Sequence, residues 1–181
     1  MSERDSALKF YEAARQESLL RIRLRDQIVI MYLMVTGTIL GVSLQPTLSG
    51  ELLLVVPFLA LGAAILLAQH NLAIGFLGKF CADEIGNVLR KMDPPQNIPQ
   101  WDNSQALKNY SKTSSKLRTW GQFVIIIVPC GLSLSVNSKH IWKSHFIFEV
   151  LWWFGLVSII VIAAIALWTH LIRIKLYEER W

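Results

Sequence analysis

A polar run stands at the end of a long apolar stretch in the first half of the chain: Gln69, His70 and Asn71. If the apolar stretch crosses a bilayer, such side chains face protein or water rather than lipid. They are therefore candidates for a pore mouth or for contact with a partner. The same residues would also suit the boundary where the hydrocarbon layer ends, and the sequence leaves both interpretations open.

Histidines offer the other candidate chemistry. His145 and Glu149 are four residues apart with His140 nearby, a spacing that suits a metal site or a pH-sensitive gate, and equally a solvated interface. His70 and His170 would lie towards the same side of a membrane, where two imidazoles can hold a haem. Three loosely spaced ligands are a weak pattern, so we expect no metal and no cofactor.

A stripe of lysines, Lys108, Lys112 and Lys116, recurs at a strict spacing of four. This spacing places the three charges on one side of a helix. They suit anionic lipid or an acidic protein partner, with nucleic acid at most an indirect partner. The alternative is a solvated face whose charges only set the topology.

Glycines Gly37 and Gly41 form a GxxxG pattern in the first apolar run. In a membrane this spacing lets two helix backbones approach closely, either between copies of the chain or within one bundle, and the pattern also occurs by chance. The second apolar run carries a similar set of small residues: Ala60, Gly62, Ala63, Ala64 and Ala68.

Catalytic motifs are absent from the sequence. It has no phosphate-binding glycine loop, no HExxH, no carboxylate pair in an apolar run and no plausible catalytic triad. The two cysteines, Cys81 and Cys130, form no close-spaced redox pair. We therefore expect a protein that is not an enzyme and has no catalytic residues.

The apolar runs define the architecture. The chain has 181 residues, of which 53% are hydrophobic and only 17% charged, and the charges cluster outside four runs: 27–44, 51–74, 120–136 and 146–169. Each run is long enough to cross a hydrocarbon core of roughly 30 Å as a helix. The sequence predicts an all-α polytopic membrane protein with four transmembrane helices.

The direction of the spans follows from the positive charges. Of the 18 Lys and Arg residues, only Lys139 and Lys143 lie in the two short links between paired spans. Positive charge concentrates on the cytoplasmic side of membrane proteins, so both termini are predicted to lie inside.

Three segments remain for the cytoplasm: an amphipathic helix over 1–26, a helical hairpin over 75–119 and a tail over 170–181. Within 1–26, the alternation at 20–25 suits a strand locally, but continuity with the first span favours helix. Apolar residues continue at helical spacing past residue 74, and Asp102 is a plausible N-cap for the second helix of the hairpin.

Two stretches carry a resemblance. The residues from Leu24-Arg25-Asp26 to Gly41, and those from Pro57-Phe58-Leu59 through Gln69-His70-Asn71 to Gly75, resemble a group of small uncharacterised bacterial membrane proteins. The resemblance implies a bacterial inner-membrane protein. In architecture alone, the chain also resembles the small membrane subunits of anti-phage defence systems.

The function predicted from these features is that of a non-enzymatic, self-associating membrane sensor or anchor subunit. It would engage a cytoplasmic protein partner, with anti-phage defence as the expected setting. The alternative is an oligomeric channel or membrane-disrupting effector, and a redox or haem enzyme is a third class. The expected partners are the lipid bilayer, further copies of the chain and a cytoplasmic protein.

Overall fold

The computed structural model describes residues 3–43, 50–92, 105–138 and 146–178. Across these ranges the chain is helical apart from a turn at Ser138, so the predicted all-α fold is confirmed for the described residues. The helices are α1 (Glu3–Ser43), α2 (Val56–Lys79), α3 (Gly86–Met92), α4 (Gln105–Asn137) and α5 (Phe146–Glu178). A 3₁₀ segment, Gly50–Val55, leads into α2, and a π-helical segment, Phe80–Ile85, joins α2 to α3.

Helix α1 is one uninterrupted helix of 41 residues. It includes residues 20–25, so the helical interpretation of that stretch is the correct one. Its buried residues form a single stripe with spacings that repeat along one face: Ala7, Ala14, Arg25, Tyr32 and Thr36. Because α1 packs mainly on α2, this stripe marks the packed face and the remaining surface points outward.

The chain from Gly50 to Met92 forms one continuous helical rod. Pro57 lies in the first turn of α2, where a missing N–H costs little because the first donors of a helix have no partner within it. In the π-helical segment the Gly86 N–H reaches back to the Cys81 carbonyl, five residues earlier. The predicted continuation past residue 74 is therefore present. The predicted cap Asp102 lies outside the described residues, and α4 begins at Gln105.

Helix α2 lies at the centre and contacts α1, α4 and α5. Its small residues allow close packing, since alanines keep neighbouring backbones near one another. Gly62 is the exception, because it is exposed and a Cβ at that position would meet nothing within 4 Å. The core around α2 is formed by residues from four helices: Tyr32, Ala60, Ala63, Ala64, Leu67, Ile126, Cys130 and Ile162.

Helix α5 crosses α2 and α4 at a glycine. A Cβ at Gly155 would lie 2.7 Å from Cδ2 of Leu134 and 3.0 Å from Cγ of Pro57. Next to this crossing the rings of Phe58 and Phe154 stack with centroids 4.3 Å apart. The absence of a side chain at Gly155 therefore lets three elements approach one another at one point.

Three hydrogen bonds from polar side chains join different helical elements at different positions along the bundle. The Tyr32 hydroxyl donates to the Ile126 carbonyl at 3.0 Å, and Trp152 Nε1 donates to the Leu134 carbonyl at 3.0 Å. At the end near residue 50, Asn137 Nδ2 donates to the Gly50 carbonyl at 3.0 Å. Such bonds add directionality to packing that is otherwise apolar.

Three helices in the described part of the chain are long and apolar enough to cross a membrane: Glu3–Ser43, Gly50–Met92 and Phe146–Leu176. Helix α4 contributes a shorter apolar stretch, Val124–Asn137. These features are compatible with a membrane protein, and the three long helices correspond to the predicted spans 27–44, 51–74 and 146–169, the first as far as Ser43.

Candidate functional site

A polar pocket lies between α2, α4 and α5. The cavity has a volume of about 50 Å³, and its polar lining consists of Asn71, Gln122, Thr169, His170 and Arg173. The rest of the wall is apolar and comes from leucine, isoleucine and alanine side chains of the three helices. A cavity of this size holds a few water molecules or one small polar group.

Asn71 joins two walls of the pocket. Its Nδ2 donates to Oε1 of Gln122 at 3.0 Å, which links α2 to α4. Its Oδ1 is buried and has no hydrogen-bond partner among the described residues. Since an amide oxygen can accept two hydrogen bonds, Asn71 leaves an unused acceptor at the pocket.

Arg173 supplies the charge of the pocket. Only 7% of this residue is exposed, and its Nε has no partner in the described part of the chain. Thr169 lies one helical turn before Arg173 on the same face of α5, and its hydroxyl donates to the Ile165 carbonyl at 2.7 Å. A buried guanidinium N–H without an acceptor is costly, so the pocket favours a guest with acceptor oxygens.

A second buried arginine provides the contrast. Arg25 on α1 is 9% exposed, but its Nε and Nη2 donate to Oδ1 of Asp26 at 2.9 and 2.7 Å. The neighbouring carboxylate compensates for the burial of that cation. Among the residues that the structure describes, no aspartate or glutamate lines the pocket of Arg173.

The run Gln69, His70 and Asn71 does not act as one cluster. Successive residues of a helix rotate by about 100°, so the three side chains point in different directions. Gln69 is exposed, His70 is within electrostatic reach of Arg21 and Arg25, and Asn71 alone lines the pocket. Nδ1 of His70 is buried and has no partner among the described residues.

The candidate ligands for metal or haem are not brought together where they are described. His170 lines the pocket and His70 does not. His140 and His145 lie outside the described residues, and Glu149 is half-buried near the start of α5. Within the described ranges no group of three or more His, Cys, Asp or Glu side chains is arranged to hold a metal ion.

Gly37 and Gly41 lie on the open face of α1. Both are exposed, and a Cβ at either position would meet nothing within 4 Å. They face away from the stripe that contains Tyr32 and Thr36. Among the described residues, these two glycines therefore take no part in packing within the chain's own bundle, and self-association through them stays a prediction.

The lysine stripe lies on the first part of α4. Residues 108, 112 and 116 belong to this helix, so the backbone places Lys108, Lys112 and Lys116 along one side of it. Their side chains lie outside the described part of the structure. Their role in binding lipid or an acidic partner stays a prediction.

Sequence reasoning did not find the pocket. The sequence shows Arg173 only as one positive charge of the tail, and Gln122 only as a residue near the start of a span. The spacing within α5 nevertheless indicated the buried position of Arg173. Thr169 and Arg173 continue the helical spacing of Ser158 and Ile162, which are buried in the same helix. A cation that continues a buried stripe is a candidate site residue.

Comparison with known proteins adds no identification. No family model, no curated protein and no solved structure matches the chain. The resemblance carried by residues 24–41 and 57–75 therefore stays a prediction.

Proposed function

We propose that the chain is a multi-pass protein of the bacterial inner membrane that crosses the bilayer four times, with both termini in the cytoplasm. The three long apolar helices support most of this topology. For the remaining crossing, α4 offers Val124–Asn137 within a helix that begins well before it. The positive charges of the N-terminal segment, the middle link and the tail support the orientation.

In this membrane the chain acts as a non-enzymatic, self-associating sensor or anchor subunit that engages a cytoplasmic protein, with anti-phage defence as the proposed setting. The observation that carries the proposal lies in the part of α1 before the first span. Phe10 and Leu19 are 65% and 67% exposed there. Other large apolar side chains of the same segment are also exposed: Leu8, Leu20 and Leu24. Leu8 and Leu19 are eleven residues apart and therefore lie within about 20° of each other around the helix, whereas Phe10 lies on the opposite side. Outside a bilayer, apolar side chains exposed on one face of a helix favour a binding surface.

The test is site-specific photocrosslinking in the native membrane, with a photoreactive amino acid at position 10 or 19. Because the two positions lie about 180° apart around the helix, we expect one of them to capture a soluble protein, identified by mass, in a stoichiometric complex. The matched control is Ala14, which lies on the buried stripe of the same helix and should crosslink only within the chain. Adducts confined to lipid at positions 10 and 19 would contradict the proposal.

The alternative function is an oligomeric channel or membrane-disrupting effector. The pocket between α2, α4 and α5 has a volume of only about 50 Å³, too small for an aqueous path, so the proposed channel would form between copies. The open face that carries Gly37 and Gly41 favours such an assembly. Ion flux through liposomes that contain the purified oligomer, without any soluble partner, would favour this function over the first.

A further inference from the structure

The unpaired charge of the pocket suggests a ligand. We propose that the cavity between α2, α4 and α5 binds a phosphate group and that Arg173 holds its charge. The proposal rests on the geometry of the pocket and does not depend on the partner or on self-association. A phospholipid headgroup and a soluble phosphate share this chemistry, and the test below separates them.

The first argument is the state of Arg173. Its side chain is buried, and among the described residues its Nε has no acceptor and no carboxylate lines the pocket. Arg25 shows that this chain provides a carboxylate for a buried arginine elsewhere. A bound oxyanion would complete the missing pair, and the planar fork of a guanidinium matches the geometry of phosphate oxygens.

The second argument is the complement of donors and acceptors. Arg173 offers an unused donor and Asn71 an unused acceptor in the same cavity, while His170 adds an imidazole, which keeps an N–H donor in either protonation state. A ligand that satisfies both unused groups must accept and donate hydrogen bonds. A singly protonated phosphate does so, and so does a phosphate ester that carries a hydroxyl or ammonium group.

The third argument is size and position. About 50 Å³ suffices for a few waters or one tetrahedral anion, and the apolar wall leaves no further polar partner for a larger polar molecule. In the proposed topology, Arg173 lies where the fourth span meets the cytoplasm. Phospholipid headgroups and cytoplasmic phosphates are both accessible at that level.

The experiment uses the full chain, stripped of lipid in mild detergent, and measures the melting temperature during two titrations. One titration adds inorganic phosphate and the other adds micellar phosphatidylglycerol, each against chloride at equal ionic strength. We expect at least one to raise the melting temperature of the wild type. A response to phosphate alone assigns a soluble ligand, and a response to the lipid alone assigns a headgroup.

The decisive variant is Arg173→Gln, with Lys175→Gln as the matched control, because Lys175 is an exposed cation two residues further along α5. Arg173→Gln should raise the half-saturating concentration by about tenfold or more, whereas Lys175→Gln should leave it unchanged. Without ligand, Arg173→Gln should melt no lower than the wild type, since it removes an unpaired buried charge.

A further variant covers the case in which Arg173→Gln does not fold. Arg173→Lys keeps the charge but loses the fork, so it should bind severalfold more weakly than the wild type. Affinity equal to that of the wild type in each variant that folds, or no response of the wild type to either titrant, would overturn the proposal. The pocket would then hold water only.

Discussion

Tyr32 is the residue that joins the first helix to the core by a polar contact. Its side chain is buried among Ala63, Ile126 and other apolar neighbours, and its hydroxyl donates to the Ile126 carbonyl at 3.0 Å. The hydroxyl fixes the rotation of α1 relative to α4, because in apolar surroundings it has few other acceptors.

Replacing Tyr32 by Phe should lower the free energy of unfolding by about 1 kcal/mol, since it removes one interhelical hydrogen bond and keeps the packing. Reversible denaturation in mixed micelles measures this change. The control is Thr38→Val, because the Thr38 hydroxyl is exposed and donates only to Met34 of its own helix. Equal effects of the two substitutions would show that the Tyr32 bond contributes nothing specific.

The residues of the pocket show which features could not be predicted from the sequence. The polar character of Asn71 is visible in the sequence, and its position near the end of a span follows from counting. Its partner Gln122 is 51 residues away, and the buried state of Arg173 depends on how α5 rotates against α2. No local pattern encodes that rotation, so the pocket emerges only when three helices are in place.

At the scale of elements, the crossing at Gly155 is the point most sensitive to substitution. Gly155→Leu should lower the free energy of unfolding by about 2 kcal/mol or more, because Pro57 has a rigid ring and Leu134 is buried. The same denaturation measurement applies. Gly131→Leu is the matched control on α4, where an added Cβ meets nothing within 4 Å.

Stability of Gly155→Leu equal to that of Gly131→Leu would mean that α5 shifts freely at the crossing. A loss confined to Gly155→Leu would establish the close approach of the three elements. The result is independent of any ligand or partner, because neither glycine lines the pocket.

The sequence allowed prediction of those helices whose apolar runs are long enough to cross a bilayer. Apolar runs such as 51–74 must be helical because lipid satisfies no backbone group. The continuation to Met92 followed from apolar spacing. The π-helical segment Phe80–Ile85 was not predictable, since no residue type specifies a switch in hydrogen-bond register. The fourth predicted span, 120–136, is not confirmed at full length, because the described apolar part of α4 is Val124–Asn137.

At the scale of the whole molecule, the self-association proposed above would use the exposed face of α1 that carries Gly37 and Gly41. Cysteine at position 37 or 41, in a background without Cys81 and Cys130, should form a disulfide between copies in the membrane under mild oxidation. Non-reducing electrophoresis measures the dimer. Val35→Cys is the control, since Val35 is exposed on another side of the same helix.

Crosslinking at position 35 as efficient as at 37 and 41 would reflect random collision and contradict a defined interface. Selective crosslinking at the glycine positions would support the self-association proposed above. Larger residues at both glycines should then reduce the oligomer, because close backbone approach would be lost.

The rod from Gly50 to Met92 has a mechanical consequence. If the span ends near residue 74, the remaining residues to Met92 extend about 27 Å beyond it at about 1.5 Å per residue. A stiff lever of that length converts a tilt of about 10° at the membrane into a displacement of about 5 Å at its tip. Because Cys81, Ala82 and Ile85 of the π-helical segment are buried and the segment contacts α1, a small tilt would move this packed end as one body, by about the width of a side chain.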